Sequence, residues 1–170
     1  MGDERREVTP QQWAQAAAAA RAEGFDFFDW LTAVDQADGD PPGVDIVLRL
    51  LDDRSPGALR GLLLSMRLPA GQPLASITAI FPGAAWHERE TFEMFGVDVA
   101  GFNDGSGLGI RPLLLPDGFE GHPLRKDFVL TARVSKDWPG AKEPGQPHGG
   151  GPGRRKMMPP GVPAPEWGPR

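Results

Sequence analysis

Val44-Asp45-Ile46-Val47-Leu48-Arg49-Leu50 sets Val44, Ile46, Leu48 and Leu50 against Asp45, Val47 and Arg49. After the turn-rich Asp52-Asp53-Arg54-Ser55-Pro56-Gly57 the alternation resumes, with Leu62, Leu64, Met66 and Leu68 on one side and Gly61, Ser65 and Arg67 on the other. A period of two is that of a strand with one buried face. The short link between the two runs predicts a hairpin. Upstream, Phe28, Trp30, Thr32 and Val34 alternate with Asp29, Leu31 and Ala33, and Gly39-Asp40-Pro41-Pro42-Gly43 turns the chain into the next run. Three successive strands with short links predict an antiparallel meander.

Helical signals flank this sheet. Thr9-Pro10-Gln11-Gln12 has the form of a helix start, with Thr9 as cap, Pro10 at the first helical position and Gln12 completing a capping box. Ala14 and Ala16 to Ala20 propagate the helix, Trp13 anchors it on the core, and Gly24 ends it. Beyond the break at Pro69-Ala70-Gly71-Gln72-Pro73, Leu74 to Phe81 is expected to be a short helix or turn with Ile77 and Ile80 inward. Ala84 to Phe95 is a stronger helix, closed by Gly96. The Gly-rich stretch Gly101 to Gly109, the apolar run Ile110 to Leu115 and the charged, turn-rich Pro116 to Phe128 then lack any period. The expected fold class is α+β: a small antiparallel sheet packed by helices, followed by an extended irregular C-terminal arm.

Composition bounds the rest. The 170 residues suffice for one domain. From Pro139 to Arg170 more than half of the positions are Gly or Pro, so that stretch cannot offset the entropy of ordering itself. The domain is therefore taken as 1–138, and 139–170 as a tail that is disordered or wrapped on a partner, with Met157, Met158 and Trp167 as anchors. There is no cysteine, which removes disulfides, thiolate zinc sites and ordinary iron–sulfur ligation. His87, His122 and His148 lie too far apart to suggest a metal site. A formal charge of −5 argues against a nucleic-acid partner. No run approaches the ~18 apolar residues of a membrane span, and Met1 to Glu7 reads as neither a signal nor a transit peptide. Membrane association is expected only through partners.

Two segments carry functional information. The first is Trp86-His87-Glu88-Arg89-Glu90-Thr91-Phe92-Glu93-Met94-Phe95-Gly96. On a helix, Glu88 and Glu90 point about 200° apart, whereas Glu90 and Glu93 share a face with Trp86 and Met94. A half-buried Glu90 needs a partner, and Arg111, Arg125 and Lys126 are the candidates for pinning the arm to the helix. The plain alternative is a solvated charged face with only Phe92 and Phe95 in the core. The second segment, Glu120-Gly121-His122-Pro123-Leu124-Arg125-Lys126-Asp127-Phe128, sets two cations and an anion on a path stiffened by Gly and Pro. A free-standing enzyme would use Glu90, Glu93 and His122. It would need two carboxylates across a cleft rather than on one helix, and His122 lies in no triad order.

Together the segments resemble the signature of the thirty-kilodalton subunit family (the C subunits) of respiratory NADH:quinone oxidoreductases. That family carries a Trp-x-Glu-Arg-Glu-x-x-acidic-apolar-Phe-Gly helix followed by Glu-Gly-His-Pro-Leu-Arg-Lys-Asp-aromatic, and the resemblance spans about Val8 to Trp138. The family's Gly-His-Pro-Asp-Leu-Arg-Arg run between the motifs is replaced here by the longer Gly101 to Pro112. The resemblance implies a structural subunit without a catalytic centre of its own, in the hydrophilic arm of a proton-translocating complex I. It would dock on the large forty-nine-kilodalton-type subunit (the D subunit) and neighbouring hydrophilic-arm subunits, at the cytoplasmic side of a bacterial cell membrane. FMN, iron–sulfur clusters and quinone would sit on other subunits. It implies interface roles for Trp86, Glu88, Arg89, Glu90, Glu93, Phe95, Gly96, Gly121, His122, Pro123, Leu124, Arg125, Lys126 and Asp127. The alternative is the equivalent scaffold subunit of a membrane-bound nickel–iron hydrogenase or a related ferredoxin- or F420-type dehydrogenase complex.

Overall fold

The computed structural model describes residues 3–55 and 57–129. The expected tail, 139–170, and the domain's last residues lie outside them. The elements in chain order are β1 (Glu4–Glu7), α1 (Trp13–Ala22), β2 (Phe27–Gln36), β3 (Gly43–Asp52), β4 (Arg60–Pro69), β5 (Leu74–Ala75), α2 (Ala84–Phe95) and β6 (Val99–Ala100). The described chain divides into a principal unit, reaching to Leu115 and including His122–Phe128, and a second to which Pro116–Gly121 belong.

The meander is present: β2 pairs with β3 and β3 with β4, both antiparallel, with Leu31 opposite Leu48, Leu48 opposite Leu64 and Ile46 opposite Met66. One face therefore collects Leu31, Ala33, Ile46, Leu48, Leu50, Leu62, Leu64, Met66 and Leu68, all buried. Trp13, Ala17 and Ala20 of α1 and Ala84, Met94 and Phe95 of α2 join the same core. On β2 the alternation settles with Leu31, Ala33 and Asp35 inward and Val34 outward. A register shift between Phe28 and Trp30 keeps Phe28 partly buried against the core above it.

The sheet is mixed rather than purely antiparallel, because β1 adds to β4 in parallel, Glu4 opposite Leu62 through Glu7 opposite Ser65. Its sequence, Glu4-Arg5-Arg6-Glu7, has no apolar alternation. A short charged edge strand is held by ladder hydrogen bonds rather than burial, which also keeps the sheet from pairing with other chains. The edge is tied further by Arg6 to Glu23 (2.7 Å) and by Arg49 between Asp3 (2.9 Å) and Asp29 (2.6 Å).

The helix start falls later than expected. Gln12 Oε1 accepts from the Thr9 N–H as in a capping box, but the Thr9 hydroxyl donates to the same oxygen instead of capping, and α1 begins at Trp13. Its end is a Schellman turn: Gly24 N–H donates to Arg21 O, and Phe25 N–H to Ala20 O. Leu74 to Phe81 departs from the expected helix. Leu74 and Ala75 pair in parallel with Val99 and Ala100, and only Ile77 to Phe81 turns, with Ile77 buried and Ile80 half-buried.

Candidate functional site

Helix α2 runs from Ala84 to Phe95 and stops at Gly96, as the sequence predicts. Ala84, Glu88, Thr91 and Phe95 fall on one face at three- and four-residue spacing, and all four are buried. Glu88 is the outlier among them, a carboxylate with 0% exposure. Ile77 N–H and the Ser76 hydroxyl, each at 2.7 Å, donate to it. Burial pushes its pKa up from the ordinary 4.5, against the pull of those two donors. Ser76 Oγ lies 2.8 Å from Thr78 Oγ1, which accepts from Asn103 N–H at 3.3 Å, so Glu88 heads a chain of bonds into the glycine-rich loop.

The carboxylate that pins the arm is Glu93, not Glu90. Its two oxygens accept the backbone N–H groups of Leu114 (2.7 Å) and Leu115 (2.9 Å). Arg89 works alongside, donating to Arg111 O (3.1 Å) and Pro112 O (2.5 Å) while its guanidinium stacks 5.6 Å from the Trp86 ring. The arm has no regular elements, so its amides and carbonyls find partners in these side chains instead of a ladder.

The expected cations are engaged elsewhere. Arg111 pairs with Asp104 at 2.7 Å. The Ser106 hydroxyl and the Arg111 guanidinium hold the Asp104 carboxyl well below its usual range. Arg125 approaches Asp35 (3.6 Å) and Asp127 (3.8 Å), and Lys126 pairs with Asp38 (3.2 Å). Among the described residues no ion pair or hydrogen bond joins Glu90 to any of them. Glu90 is half-buried, and Trp86, expected to shelter it, is 63% exposed.

The second segment closes the helix from its C-terminal end. Carbonyls of the last turn have no partner within the helix. Gly96 N–H takes Phe92 O, His122 Nδ1 lies 2.8 Å from Glu93 O, and Leu124 N–H donates to Met94 O at 3.1 Å. A carbonyl can only accept, so the His122 proton is on Nδ1. Gly96 sits at φ +69°, and a Cβ there would meet the His122 ring at 2.6 Å, so position 96 admits no side chain while His122 is seated. Asp35 secures the other side, accepting Lys126 N–H at 2.7 Å and Ala37 N–H at 3.0 Å. Pro123 is half-buried, Leu124 is 53% exposed, the Asp127 side chain is largely exposed, and Gly121 is at φ +97°.

Sequence reasoning missed Asp35. The signal was a carboxylate continuing the inward series Leu31, Ala33, Asp35, a position that demands a buried partner. Glu90, Glu93 and His122 do not form an acid–base set. Each Glu93 oxygen accepts an amide of the arm, and His122 addresses the Glu93 backbone carbonyl rather than its carboxylate. Among the described residues no three His, Cys, Asp or Glu side chains converge as a metal site, and no helix is long and apolar enough to cross a membrane.

Known proteins share both the sequence and the fold of this chain. The chain is 43% identical over 94 residues to the C subunit of NADH-quinone oxidoreductase from Mesorhizobium japonicum, and 42% identical over 90 residues to that of Bartonella henselae. These matches cover 55% and 53% of this chain but 43% and 41% of the relatives, so the matched part is less than half of their length. Among solved structures, the fold is shared with a trypsin-resistant fragment of Nqo5 (TM-score 0.54, 22% identity, 61% of this chain and 83% of that one). It is also shared with a chain of the membrane-bound sulfane sulfur reductase, an archaeal respiratory membrane complex (TM-score 0.61, 21% identity, 80% of this chain and 84% of that one). The model of the 30 Kd subunit of respiratory-chain NADH dehydrogenase matches residues 6–134, three quarters of the chain, and the chain belongs to that family.

Proposed function

We propose that this chain is a structural subunit of the hydrophilic arm of a proton-translocating NADH:quinone oxidoreductase, docked on the large forty-nine-kilodalton-type subunit and supporting electron transfer from NADH to quinone. One observation carries the reading. The side chains of the two signature segments are spent on holding an irregular arm against a helix, through Glu93, Arg89, His122 and the backbone of Leu124. Trp86 and Leu124 are left exposed and Glu90 half-buried. That is the geometry of a rigid gripping surface rather than of a cleft around a reacting molecule. FMN, iron–sulfur clusters and quinone belong on this reading to other subunits, and membrane attachment at the cytoplasmic side comes through them. The domain would run to about residue 138, with 139–170 a tail that is disordered or wrapped on partner subunits.

The shared fold in the archaeal reductase supports a second reading, an equivalent scaffold in a hydrogenase-type or related membrane complex. Purifying the complex from membranes through a tag on this chain separates the two. Flavin with many clusters and NADH:quinone activity fits the first, and nickel–iron fits the second. Stoichiometric cofactor on the lone chain would sink both.

A further inference from the structure

We propose that the outward face of the four-stranded sheet is a docking surface whose occupant is another subunit presenting an uncharged, apolar surface. This rests on the reading that the chain works inside a redox complex, and deepens it by stating the partner's chemistry.

A sheet with one solvated face carries polar side chains at its outward positions. Here the register sets Phe27 beside Leu51, Trp30 and Leu63 on either side of Arg49, Thr32 and Ser65 on either side of Val47, and Val34 beside Asp45. These positions alternate with the buried Leu31, Ile46, Leu48, Leu62 and Leu64, and so point away from the core. Phe27 and Val34 are 49 and 47% exposed, and Trp30, Val47, Leu51 and Leu63 are half-buried. None of these six apolar residues belongs to the packed core, where α1 and α2 meet the inward side chains. One outward leucine means little, but six apolar side chains over three adjacent strands make a patch of the kind that binds protein.

The charges on this face decide what can cover it. Arg49 bridges Asp3 (2.9 Å) and Asp29 (2.6 Å), and Arg67 pairs with Asp45. Both cations of the three long strands on this face are therefore matched within the chain. On β1, the exposed Arg5 and Glu7 stand opposite Leu63 and Ser65 and supply one charge of each sign as a polar rim. A partner arriving with a lone charge would give up its water with no counter-charge free at the centre to receive it. An uncharged apolar surface meets no such cost and covers the apolar side chains directly. A nucleic acid, which needs unpaired cations, is excluded on the same ground. A second copy fits less well, because its equivalent face carries these same ion pairs.

The test uses the full chain expressed in cells lacking their own copy. Thr32 is exposed beside Val47, so a charge can be set among the apolar side chains there with little effect on the fold. Thr32→Glu should lower incorporation into the membrane complex on native gels by about tenfold or more, while Thr32→Val leaves it unchanged. Thermal melts of both variants should lie close to wild type. A photo-crosslinking residue in place of Val34 should join another subunit at a stretch of uncharged apolar residues, and this result decides alone if Thr32→Glu does not fold. Normal incorporation of a folded Thr32→Glu overturns the proposal. So does a Val34 crosslink to a second copy, to the chain's own 139–170 segment or to a charged stretch of another subunit, or no crosslink in the assembled complex. If the wild-type chain enters no redox complex at all, the functional reading itself fails, and the proposal with it.

Discussion

The sheet and the arm that follows β6 are held by different physics. In the sheet, apolar side chains from three strands meet on one face, and burial is spread over many residues, none of which is decisive alone. The arm has few buried side chains and no ladder. It is held by a handful of directional bonds from Glu93, Arg89, His122 and Asp35, each fixing one or two backbone groups. A region of the first kind should fail cooperatively, and one of the second kind locally.

The sharpest test on the sheet side is Leu48→Ala. Leu48 is fully buried between Leu31 and Leu64, and its loss should cost about 2–5 kcal/mol, read as a lower melting temperature for the whole domain. Protection of the arm's amides should fall along with that of the sheet. On the arm side, Glu93→Ala leaves two amides without their acceptor and should cost about 1–3 kcal/mol. Hydrogen exchange at Leu114 and Leu115 should quicken while exchange at Leu48 and Leu64 stays slow. If both regions loosen together, the distinction between them does not hold.

Glu88 sits where the two regimes meet, and its expected effect is the smallest. Its folded pKa is raised above the unfolded value near 4.5, so the folded state binds the proton more tightly. The stability this confers is fully present below about 4.5 and is lost as pH rises through the raised value. Glu88→Gln should abolish that slope in denaturant melts run upward from pH ~4.5, leaving the two proteins within ~1 kcal/mol at the acid end. An unchanged slope would mean that Glu88 titrates normally.

How far the sequence was legible follows the same division. The inward faces of β3 and β4 and the bounds of α2 can be read from periodicity because burial imposes a period. The strand β1 escapes because its four charged residues put no apolar side chain into the core and join the sheet through backbone pairing. The need for a carboxylate to pin the arm was legible, but not which one. Glu90 and Glu93 share a face, and only the aperiodic path of the arm, which brings amides rather than cations to α2, selects Glu93. Arg125 and Lys126, two of the three candidate partners for Glu90, instead reach Asp35 and Asp38, acidic residues at and just beyond the end of β2.

The closure of α2 by His122 and Leu124 bears on how the polypeptide is made. Both groups belong to chain synthesised well after the helix, so during translation the last turn leaves the ribosome with its terminal carbonyls open to water. The helix is completed only when His122 emerges and folds back over Gly96. A nascent chain arrested between Gly96 and His122 has every strand of the four-stranded sheet in hand but lacks the groups that close the helix.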